Sequence, residues 1–544
     1  MRRMKGAAGL LTALLLAFQL SAQTFALANE DNGIKVVPVN FTHNGYSYEI
    51  EGVAKSTDGD YQIKSPARLA ARKLPSTYDP RSSGEITTVK DQASTGACWA
   101  FSALACAEQD LIKKGLENPS TEFSVPALVL SSNSGTATGK DDFSSGGNWL
   151  FAASALANGQ GLCYEDYEPF LESGTGNMIV SENKKSVSEY RLNYVMELSS
   201  TTQVKRKIME LGAVSASYFA GNGYMNHNNT AYYDPDASKN TIINHSVTVV
   251  GWDDNYSKDN FRYKPANNGA WLVKGSWGAD QDNDGFYWVS YDEAEFGQFC
   301  CYDFEESCDN TYHYSKMTGY VVNASNDGSV YGANVFTAKA DEKLDKAGFM
   351  YVGKTGSADY TLSVYTDVSD SDPIGVLETQ ISGSVSANGF YTVDFPEDIL
   401  LEEGEKYSIS VKFSGDSGRG YLLAESDRTS KAQSGQSYVS LNGKYWSDVG
   451  ADKTDSIGSL FIYAYTDDTA KPDKSSLGTT LAKYGTLAGC EREANNARKV
   501  LADETASKND ISNAQKLLIS AAEEQDETLV ITTEAQWESF AKRV

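Results

Sequence analysis

A long helix with a strongly apolar face is the clearest element that the polarity pattern predicts. From Cys98 onward, apolar residues recur every three or four positions, which is typical of a helix with a buried face. Glu108 is the polar interruption of that face, and Gly115 follows the run as a residue of the type that ends helices. The apolar positions are Phe101, Leu104, Ala105, Leu111 and Ile112. The sequence therefore predicts a buried helix whose first turn contains Cys98.

Three short apolar segments after position 245 predict strands instead. They cover 246–250, 269–274 and 285–290, and turn residues separate them. Segments of this length and spacing favour an antiparallel sheet. We therefore expect a helical half and a sheet half, with a site between them.

Between about 310 and 468 the pattern changes to short alternating segments. Apolar residues recur there at every second position, the period of a half-buried strand, as in Tyr407, Ile409, Val411 and Phe413. Asn442-Gly443, between 437–441 and 444–447, is typical of a two-residue hairpin turn. Many short strands joined by such turns predict an all-β sandwich.

Helical spacing returns after a short linker that begins at 469. Helices are predicted over 477–484 and 491–503, and a third is expected to begin behind Asp510 as its capping residue. A small helical module is therefore expected over 469–528. The last residues, 529–544, are predicted to be the start of a further module or a tail.

Length and charge narrow the classes of protein that fit. At 544 residues the chain is long enough for several domains. Its formal net charge of −26 at pH 7 disfavours nucleic acid and anionic membrane surfaces as partners. We therefore expect no nucleic-acid binding.

The N-terminus has the features of a signal peptide over 1–28. A basic start precedes an apolar run at 7–20 and a small-residue cleavage pattern at 26–28. The apolar run is shorter than the ~20 residues needed to span a membrane, and no second run of that length follows. The mature chain is thus expected to be exported and to lack a membrane span. Residues 29–73 are either a pro-segment or an extension packed on the next domain.

Cys98 and His245 are the pair that points to chemistry. The histidine follows the cysteine by 147 residues, a spacing known for a nucleophile and its base. The chain has only four histidines, so this pairing is not one choice among many. A helix N-terminus and an adjacent imidazolium would both favour the thiolate, which is the reactive form of the cysteine.

The strings around this pair resemble those of papain-like cysteine peptidases of family C1. They include QASTGACWAF around Cys98 and NHSVTVVGW around His245. The resemblance implies an α+β papain-like domain over 74–309 and peptide-bond hydrolysis by a Cys98 thiolate paired with His245. It also implies that Gln92 donates a hydrogen bond to the oxyanion. A cell-wall amidase with a Cys–His pair is disfavoured by the CWAF context.

One position of the site departs from the family. The string WLVKGSWG places Gly275 where the family has the asparagine that orients the histidine, whereas Trp277, the shield over that contact, is retained. Loss of one orienting hydrogen bond should cost on the order of 1–3 kcal/mol, less than loss of the nucleophile. Restoring the asparagine is expected to raise activity if only orientation is missing. Two interpretations stay open: a peptidase with impaired or differently supported catalysis, and an inactive peptidase-like scaffold in a lectin-like adhesin.

The resemblance also implies substrate-binding residues. Gly147, preceded by Gly146, matches the glycine that binds the substrate main chain as an added strand, and Asn148 and Asn244 border the adjoining pocket. That border also includes Trp149, Ile243 and Ser246. Thr95 stands where most relatives have a cysteine bridged to the glycine loop, and a serine replaces the partner. The six cysteines other than the nucleophile either pair or stay as buried thiols, and the sequence leaves this open.

The remaining segments imply accessory modules. Residues 310–468 resemble the lectin-like domain that follows papain-like peptidases in some bacterial surface proteins, and 469–528 look like their small helical FIVAR modules. We therefore expect a secreted or cell-surface cysteine peptidase that acts on proteins or peptides, with cell-surface glycans as a second class of partner.

No cofactor or metal ion is expected. Residues 280–285 imitate the first half of a calcium loop, but Tyr291 stands where a bidentate glutamate is required. A second cluster outside the site lacks standard zinc spacing and is interpreted as structural. It consists of Cys300, Cys301, Cys308 and His313.

Overall fold

The computed structural model of the protein describes residues 36–43, 46–54 and 74–526, the last range with gaps. The gaps are 133–142, 144–145, 166–188, 222, 237–241, 280–283, 317–318, 325–328, 370, 417–419, 427–431, 452–456, 470–472, 504–505 and 507. The predicted signal peptide, most of the calcium-like segment and the tail at 529–544 lie outside the described residues.

The first part of the chain forms a hairpin, a short strand and a group of helices. The strands are β1 (Val36–His43), β2 (Tyr46–Ala54) and β3 (Thr77–Tyr78). The helices are α1 (Cys98–Lys114), α2 (Val125–Ser132) and α3 (Trp149–Ala157), which pack against one another.

Helix α1 has the predicted start and end. Gly115 closes it with a φ of 72°, and the N–H of this glycine donates to the carbonyls of Ile112 and Leu111. Every residue from Cys98 to Leu111 is buried, so the helix lies inside the protein and is not covered on one face alone. The apolar pattern of the sequence therefore predicted less burial of this helix than the structure shows.

A sheet and one helix follow. Their bounds are β4 Tyr190–Leu198, α4 Thr201–Leu211, β5 Val214–Tyr218, β6 Ala231–Tyr232, β7 Ile242–Ile243, β8 His245–Asp253, β9 Ala270–Lys274, β10 Phe286–Ser290 and β11 Gly297–Glu306. Strands β4, β11, β5, β8, β9 and β10 are neighbours in that order and pair antiparallel, and β6 pairs with β10 in parallel. The strands predicted after position 245 are thus confirmed as β8, β9 and β10.

The predicted all-β region is also confirmed. Its strands are β12 Asn310–Tyr312, β13 Gly319–Ala324, β14 Ser329–Thr337, β15 Glu342–Tyr351, β16 Ala358–Thr366, β17 Val376–Val385, β18 Gly389–Leu401, β19 Lys406–Ser414, β20 Gly420–Ser426, β21 Ser437–Ser440, β22 Ser447–Asp448, β23 Ile457–Leu460 and β24 Ile462–Asp468. One sheet has six strands in the order β17-β16-β19-β14-β21-β22. Strands β19 and β14 pack against β20 and β24, which belong to other sheets.

One sheet runs through both regions. The strands β12, β24, β15 and β18 continue into β4, because β18 pairs antiparallel with β4 and brings Phe390 opposite Val195. A single hydrophobic cluster likewise contains residues of the helices and of the sandwich. The first region and the sandwich therefore share backbone pairing and a common core.

Two details of the sandwich differ from the expectation. The segment 444–447 is mostly loop, because β21 and β22 pair only through Tyr438 and Val439, and the side chain of Asn442 accepts from the amides of Lys444 and Tyr445 instead. In the alternating strand β19, Ser408 and Ser410 are buried as well as the apolar residues, and the Ser408 hydroxyl donates to the carbonyl of Pro373 at 2.5 Å.

The C-terminal helices form a small core of their own. They are α5 (Ser475–Tyr484), α6 (Glu491–Ala502) and α7 (Lys508–Asp526). The expectation that Asp510 caps the third helix is wrong, because that helix begins at Lys508 and contains Asp510 in its first turn. Buried residues from all three helices pack together, including Leu477, Ala494 and Leu518.

All seven cysteines are buried thiols, which answers the open question of pairing. Cys300 and Cys301 lie in β11 without exposed surface. His313 packs its ring on Tyr463, with the centroids 5.9 Å apart, and its Nδ1 lies 2.9 Å from the carbonyl oxygen of Ser315. Within the described part of the chain, no helix is both long and apolar enough to cross a membrane.

Candidate active site

Cys98 is the first residue of α1, and its side chain is only 5% exposed. One turn later, the Ser102 hydroxyl donates to the carbonyl of Val247 in β8 over 2.7 Å. The amide and the hydroxyl of Ser246, the preceding residue of β8, both act to lower the pKa of the Cys98 thiol, which puts Ser246 beside the sulfur. Because β8 begins with His245, these contacts bring the predicted nucleophile and the predicted base into one site.

The His245 ring is held among aromatic side chains and is 1% exposed. The Trp277 indole stacks on the imidazole, with the ring centroids 4.4 Å apart and an angle of 9° between the planes. Tyr218 is the cross-strand partner on β5, and the two ring centroids are 5.9 Å apart in an edge-on arrangement. Trp277 therefore covers the ring that the resemblance expected it to cover.

Burial decides the protonation state of the isolated thiol. It raises the pKa of Cys98 to about 11, and hydrogen bonds from Ser246 and from the Trp99 amide offset this only in part. The sequence led us to expect a lowered pKa at a helix N-terminus, but loss of hydration outweighs that effect here. At neutral pH the thiol stays protonated unless His245 takes up its proton.

Gln92 lies in a fixed turn before α1. Its Oε1 accepts from the Ser276 hydroxyl at 2.6 Å, and its Nε2 donates to the carbonyl of Thr95 at 2.8 Å. The Thr95 hydroxyl in turn donates to the carbonyl of Gln92 at 2.7 Å, so the residue that replaces the family cysteine stabilises this turn. The Gln92 amide has a second Nε2 hydrogen, which these contacts leave for an oxyanion.

Gly275 directly follows β9 and has little room for a side chain. Its N–H donates to the carbonyl of Gly285 at 3.0 Å. A Cβ at this position would lie 3.2 Å from that oxygen and 3.3 Å from Cε1 of Tyr287. Both distances are tighter than ordinary van der Waals contact, so Tyr287 borders the space that an asparagine would need.

The predicted glycine loop leads into α3. Gly147 packs on the Trp99 indole so closely that a Cβ would lie 2.5 Å from the ring. Gly146 precedes it with a φ of 69°. Asn148 is the N-cap of α3, and its Oδ1 accepts from the amide of Leu150 at 2.9 Å. The Asn148 side chain thus fixes the start of the helix.

The other residues predicted to border the pocket are buried or half-buried, and two of them have fixed hydrogen bonds. Asn244 is 3% exposed, and its Oδ1 accepts from the amide of Ala220 at 2.7 Å. Ile243 is buried beside it. Trp149 is half-buried, and its Nε1 donates to Oε1 of Glu197 at 3.1 Å.

Sequence reasoning missed three contributors to this geometry: Ser276, Tyr218 and Tyr287. Ser276 lies in the string WLVKGSWG beside Gly275, so its spacing could have indicated it. The tyrosines carry no such signal, because buried aromatic residues in strands most often belong to the core. Among the residues that the structure describes, no three His, Cys, Asp or Glu side chains gather as metal ligands.

Two family models match the chain. Residues 74–324 match the papain family cysteine protease model, and residues 311–466 match the lectin like domain model. The protein therefore combines a papain-like cysteine protease domain with a lectin-like domain.

The same combination occurs in solved structures. A clostridial cysteine protease, Cwp84 after propeptide cleavage, is 27% identical with a TM-score of 0.64, and the match covers 73% of this chain and 100% of that one. A structure of the cysteine protease and lectin-like domains of Cwp84, a surface layer associated protein of Clostridium difficile, is 26% identical with a TM-score of 0.63, and the match covers 75% and 91%.

The protease part also resembles mammalian enzymes. Cathepsin K of Mus musculus is 24% identical over 216 residues, which is 39% of this chain and 59% of the cathepsin. The chain thus spans less than two thirds of the length of that curated relative.

Proposed function

We propose that the protein is a secreted cysteine peptidase in which Cys98 is the nucleophile and His245 is the general base and acid. The observation that carries this proposal is the packing of the first turns of α1 on the start of β8, where Ser102 bonds to Val247, directly beside a His245 ring covered by Trp277. The match of residues 74–324 to papain family cysteine proteases supports it.

The residues of the site account for each step of amide hydrolysis. His245 takes the thiol proton of Cys98, and the sulfur attacks the carbonyl carbon, so that a C–S bond forms and the carbonyl oxygen becomes an oxyanion. Gln92 Nε2 and the Cys98 amide donate to that oxygen. His245 then protonates the leaving amine as the C–N bond breaks and a thioester remains. Water, deprotonated by His245, attacks the thioester and releases the acid and the thiol.

We further propose that the protein works at a cell surface and that its lectin-like domain binds glycans. The lectin-like match of residues 311–466 and the surface layer association of Cwp84 support this. The domain boundaries and the FIVAR-like nature of 469–528 remain predictions.

The N-terminal hairpin favours the pro-segment interpretation of 29–73. Strand β2 pairs antiparallel with β7, with Val53 opposite Ile243 and Ala54 opposite Ile242. Strand β7 ends two residues before His245. An extension that adds a strand at this point lies beside the proposed site, as a pro-segment that covers the cleft would.

Gly275 and the raised pKa of Cys98 favour the second candidate function, an inactive scaffold in a glycan-binding adhesin.

The reactivity of the Cys98 thiol distinguishes the two candidate functions. We expect an epoxysuccinyl inhibitor to label Cys98 in the mature protein, and Cys98→Ala to abolish hydrolysis of casein. We expect His245→Ala to slow alkylation at pH 7 strongly, because the thiol then keeps the high pKa that burial imposes.

Cys106→Ala is the matched control, because Cys106 is a buried thiol of the same helix. It should leave hydrolysis and labelling unchanged. Wild-type protein that neither hydrolyses casein nor takes up the inhibitor at Cys98 would overturn the peptidase proposal in favour of the scaffold.

A further inference from the structure

Aromatic rings form a closed circuit of contacts that begins and ends at His245. Trp277 stacks on the imidazole at 4.4 Å and is also parallel to the Tyr287 ring, with centroids 6.5 Å apart and an angle of 9°. The Tyr287 hydroxyl lies 2.8 Å from the Tyr218 hydroxyl in a buried hydrogen bond. Tyr218 returns to His245 with its ring 5.9 Å away.

Tyr287 borders the space beside Gly275 that an asparagine side chain would need. A Cβ on Gly275 would lie 3.3 Å from Cε1 of Tyr287 and 3.2 Å from the carbonyl oxygen of Gly285, so a side chain at position 275 would press against this ring and against the backbone opposite it. Tyr287 is 4% exposed. Burial raises the pKa of its hydroxyl, which therefore stays neutral in the hydrogen bond with Tyr218.

We propose that Tyr287, acting with Tyr218, is the positioning residue that orients His245 where Gly275 offers no side chain. The Tyr287 ring supports Trp277, and its hydroxyl fixes Tyr218, so that the imidazole is confined by a ring stacked on it and a ring edge. This inference rests on the proposed peptidase function and assigns to these tyrosines the orienting role in that site.

The first test removes one oxygen atom. Tyr287→Phe keeps the ring and loses the bond to Tyr218, so we expect kcat to fall roughly tenfold or more with little change in KM, because misplacement of a catalytic group lowers the rate of the chemical step. The pH profile of Cys98 alkylation should shift with it. The ring ¹⁵N shifts of His245, resolvable in a chain with four histidines, should also change.

Tyr463→Phe is the matched control. Tyr463 is fully buried in β24 of the lectin-like region, and its hydroxyl lies 3.1 Å from the Ser315 hydroxyl, so the variant loses the same kind of bond without touching the ring contacts of His245. It should leave kcat and the alkylation profile unchanged. If Tyr287→Phe behaves like Tyr463→Phe in all three readouts, Tyr287 does not position the histidine.

A second pair of variants tests the competition for space. Gly275→Asn alone should be slower than wild type because of crowding against Tyr287, which reverses the expectation from the sequence. Tyr287→Val should also be slow, and the double variant Gly275→Asn with Tyr287→Val should be faster than Tyr287→Val alone. A double variant no faster than Tyr287→Val overturns the inference.

These outcomes are distinct from failure of the proposed function. Wild-type protein in which Cys98 is not labelled rejects the peptidase itself. Normal labelling together with unchanged tyrosine variants rejects only the positioning role.

Discussion

Glycine lets the backbone approach an aromatic ring at the loop that we propose binds substrate. The Gly147 backbone lies on the Trp99 indole, and Trp99 directly follows the proposed nucleophile in α1. Any side chain at position 147 would have to displace either the indole or the loop, because a Cβ at 2.5 Å from ring atoms overlaps them. The identity of this one residue therefore couples the loop to the start of α1.

We expect Gly147→Ala to lower kcat/KM on a peptide substrate by roughly tenfold or more, which is about 1.4 kcal/mol of transition-state stabilisation. The reason is that the loop that would bind the substrate main chain must shift away from Trp99. Steady-state kinetics beside a thermal melt measure the effect. Gly478→Ala is the control, since a Cβ at that helical position meets nothing within 4 Å. Equal kinetics for both variants would contradict the close-contact argument.

Those residues of the proposed site that lie in a characteristic string of neighbours could be predicted from the sequence, whereas those that strand pairing brings to the site could not. Cys98, His245 and Trp277 lie in strings whose order along the chain is itself the signal. Tyr218 and Tyr287 contribute because β5, β8, β9 and β10 pair in register, which no local pattern encodes. The raised pKa of Cys98 was not predicted for a similar reason. It results from burial of α1 on all sides, which depends on the packing of distant segments.

Packing between α1 and the sheet explains the polar interruption in the helix pattern. Glu108 is buried and its Oε2 accepts from the Thr87 hydroxyl at 2.6 Å. Lys274, the last residue of β9, donates to the same hydroxyl at 2.7 Å and lies 3.8 Å from the Glu108 carboxylate. Burial lowers the pKa of Lys274 although Glu108 acts in the opposite direction. This buried pair ties the helix to the strand that ends at Gly275.

We expect Glu108→Gln to destabilise the fold by about 3 kcal/mol, because it leaves the Lys274 ammonium buried without its counter-charge. The double variant Glu108→Gln with Lys274→Met should recover much of that loss. Urea unfolding of the single and double variants gives the free energies.

The control is Glu85→Gln, which removes the partner of Lys113 from a pair whose members are 26% and 47% exposed. An exposed pair should contribute no more than about 1 kcal/mol. A Glu108→Gln loss as small as that of Glu85→Gln would mean that the buried pair does not stabilise the contact between helix and sheet.

The protease-like and lectin-like regions meet through main-chain pairing, which sequence patterns could not predict. Strands β4 and β18 lie nearly two hundred residues apart along the chain, and each reads on its own as an ordinary strand. The period of the apolar residues predicts strands, and turn residues predict hairpins, but neither signal identifies a pairing strand so distant in the sequence. The two regions that the sequence patterns separate are therefore joined in one sheet, and the β17–β18 loop reaches Glu197 in β4.

The Glu197 carboxylate connects that loop to Trp149, which was predicted to border the substrate pocket. Asn388, just before β18, donates through Nδ2 to Oε2 of Glu197 at 3.1 Å, and its Oδ1 accepts from the amide of Gly353 at 2.9 Å. The other oxygen of Glu197 accepts from Trp149, which follows the proposed substrate-binding residues Gly147 and Asn148. The lectin-like region thus fixes the Glu197 side chain, and Glu197 in turn holds Trp149 at the predicted border of the substrate pocket.

We expect Asn388→Ala to raise KM for peptide substrates by roughly three- to tenfold, equivalent to about 0.7–1.4 kcal/mol, with kcat little changed. The reason is that Glu197 loses a donor and Trp149 loses its fixed acceptor, whereas Cys98 and His245 are untouched. Asn442→Ala is the matched control, because Asn442 lies in the same region and bonds only within its own hairpin loop among the described contacts. If the two variants have the same KM, the lectin-like region does not influence the substrate pocket through this path. A rise confined to Asn388→Ala would show that a domain expected only to tether the enzyme also shapes where its substrate binds.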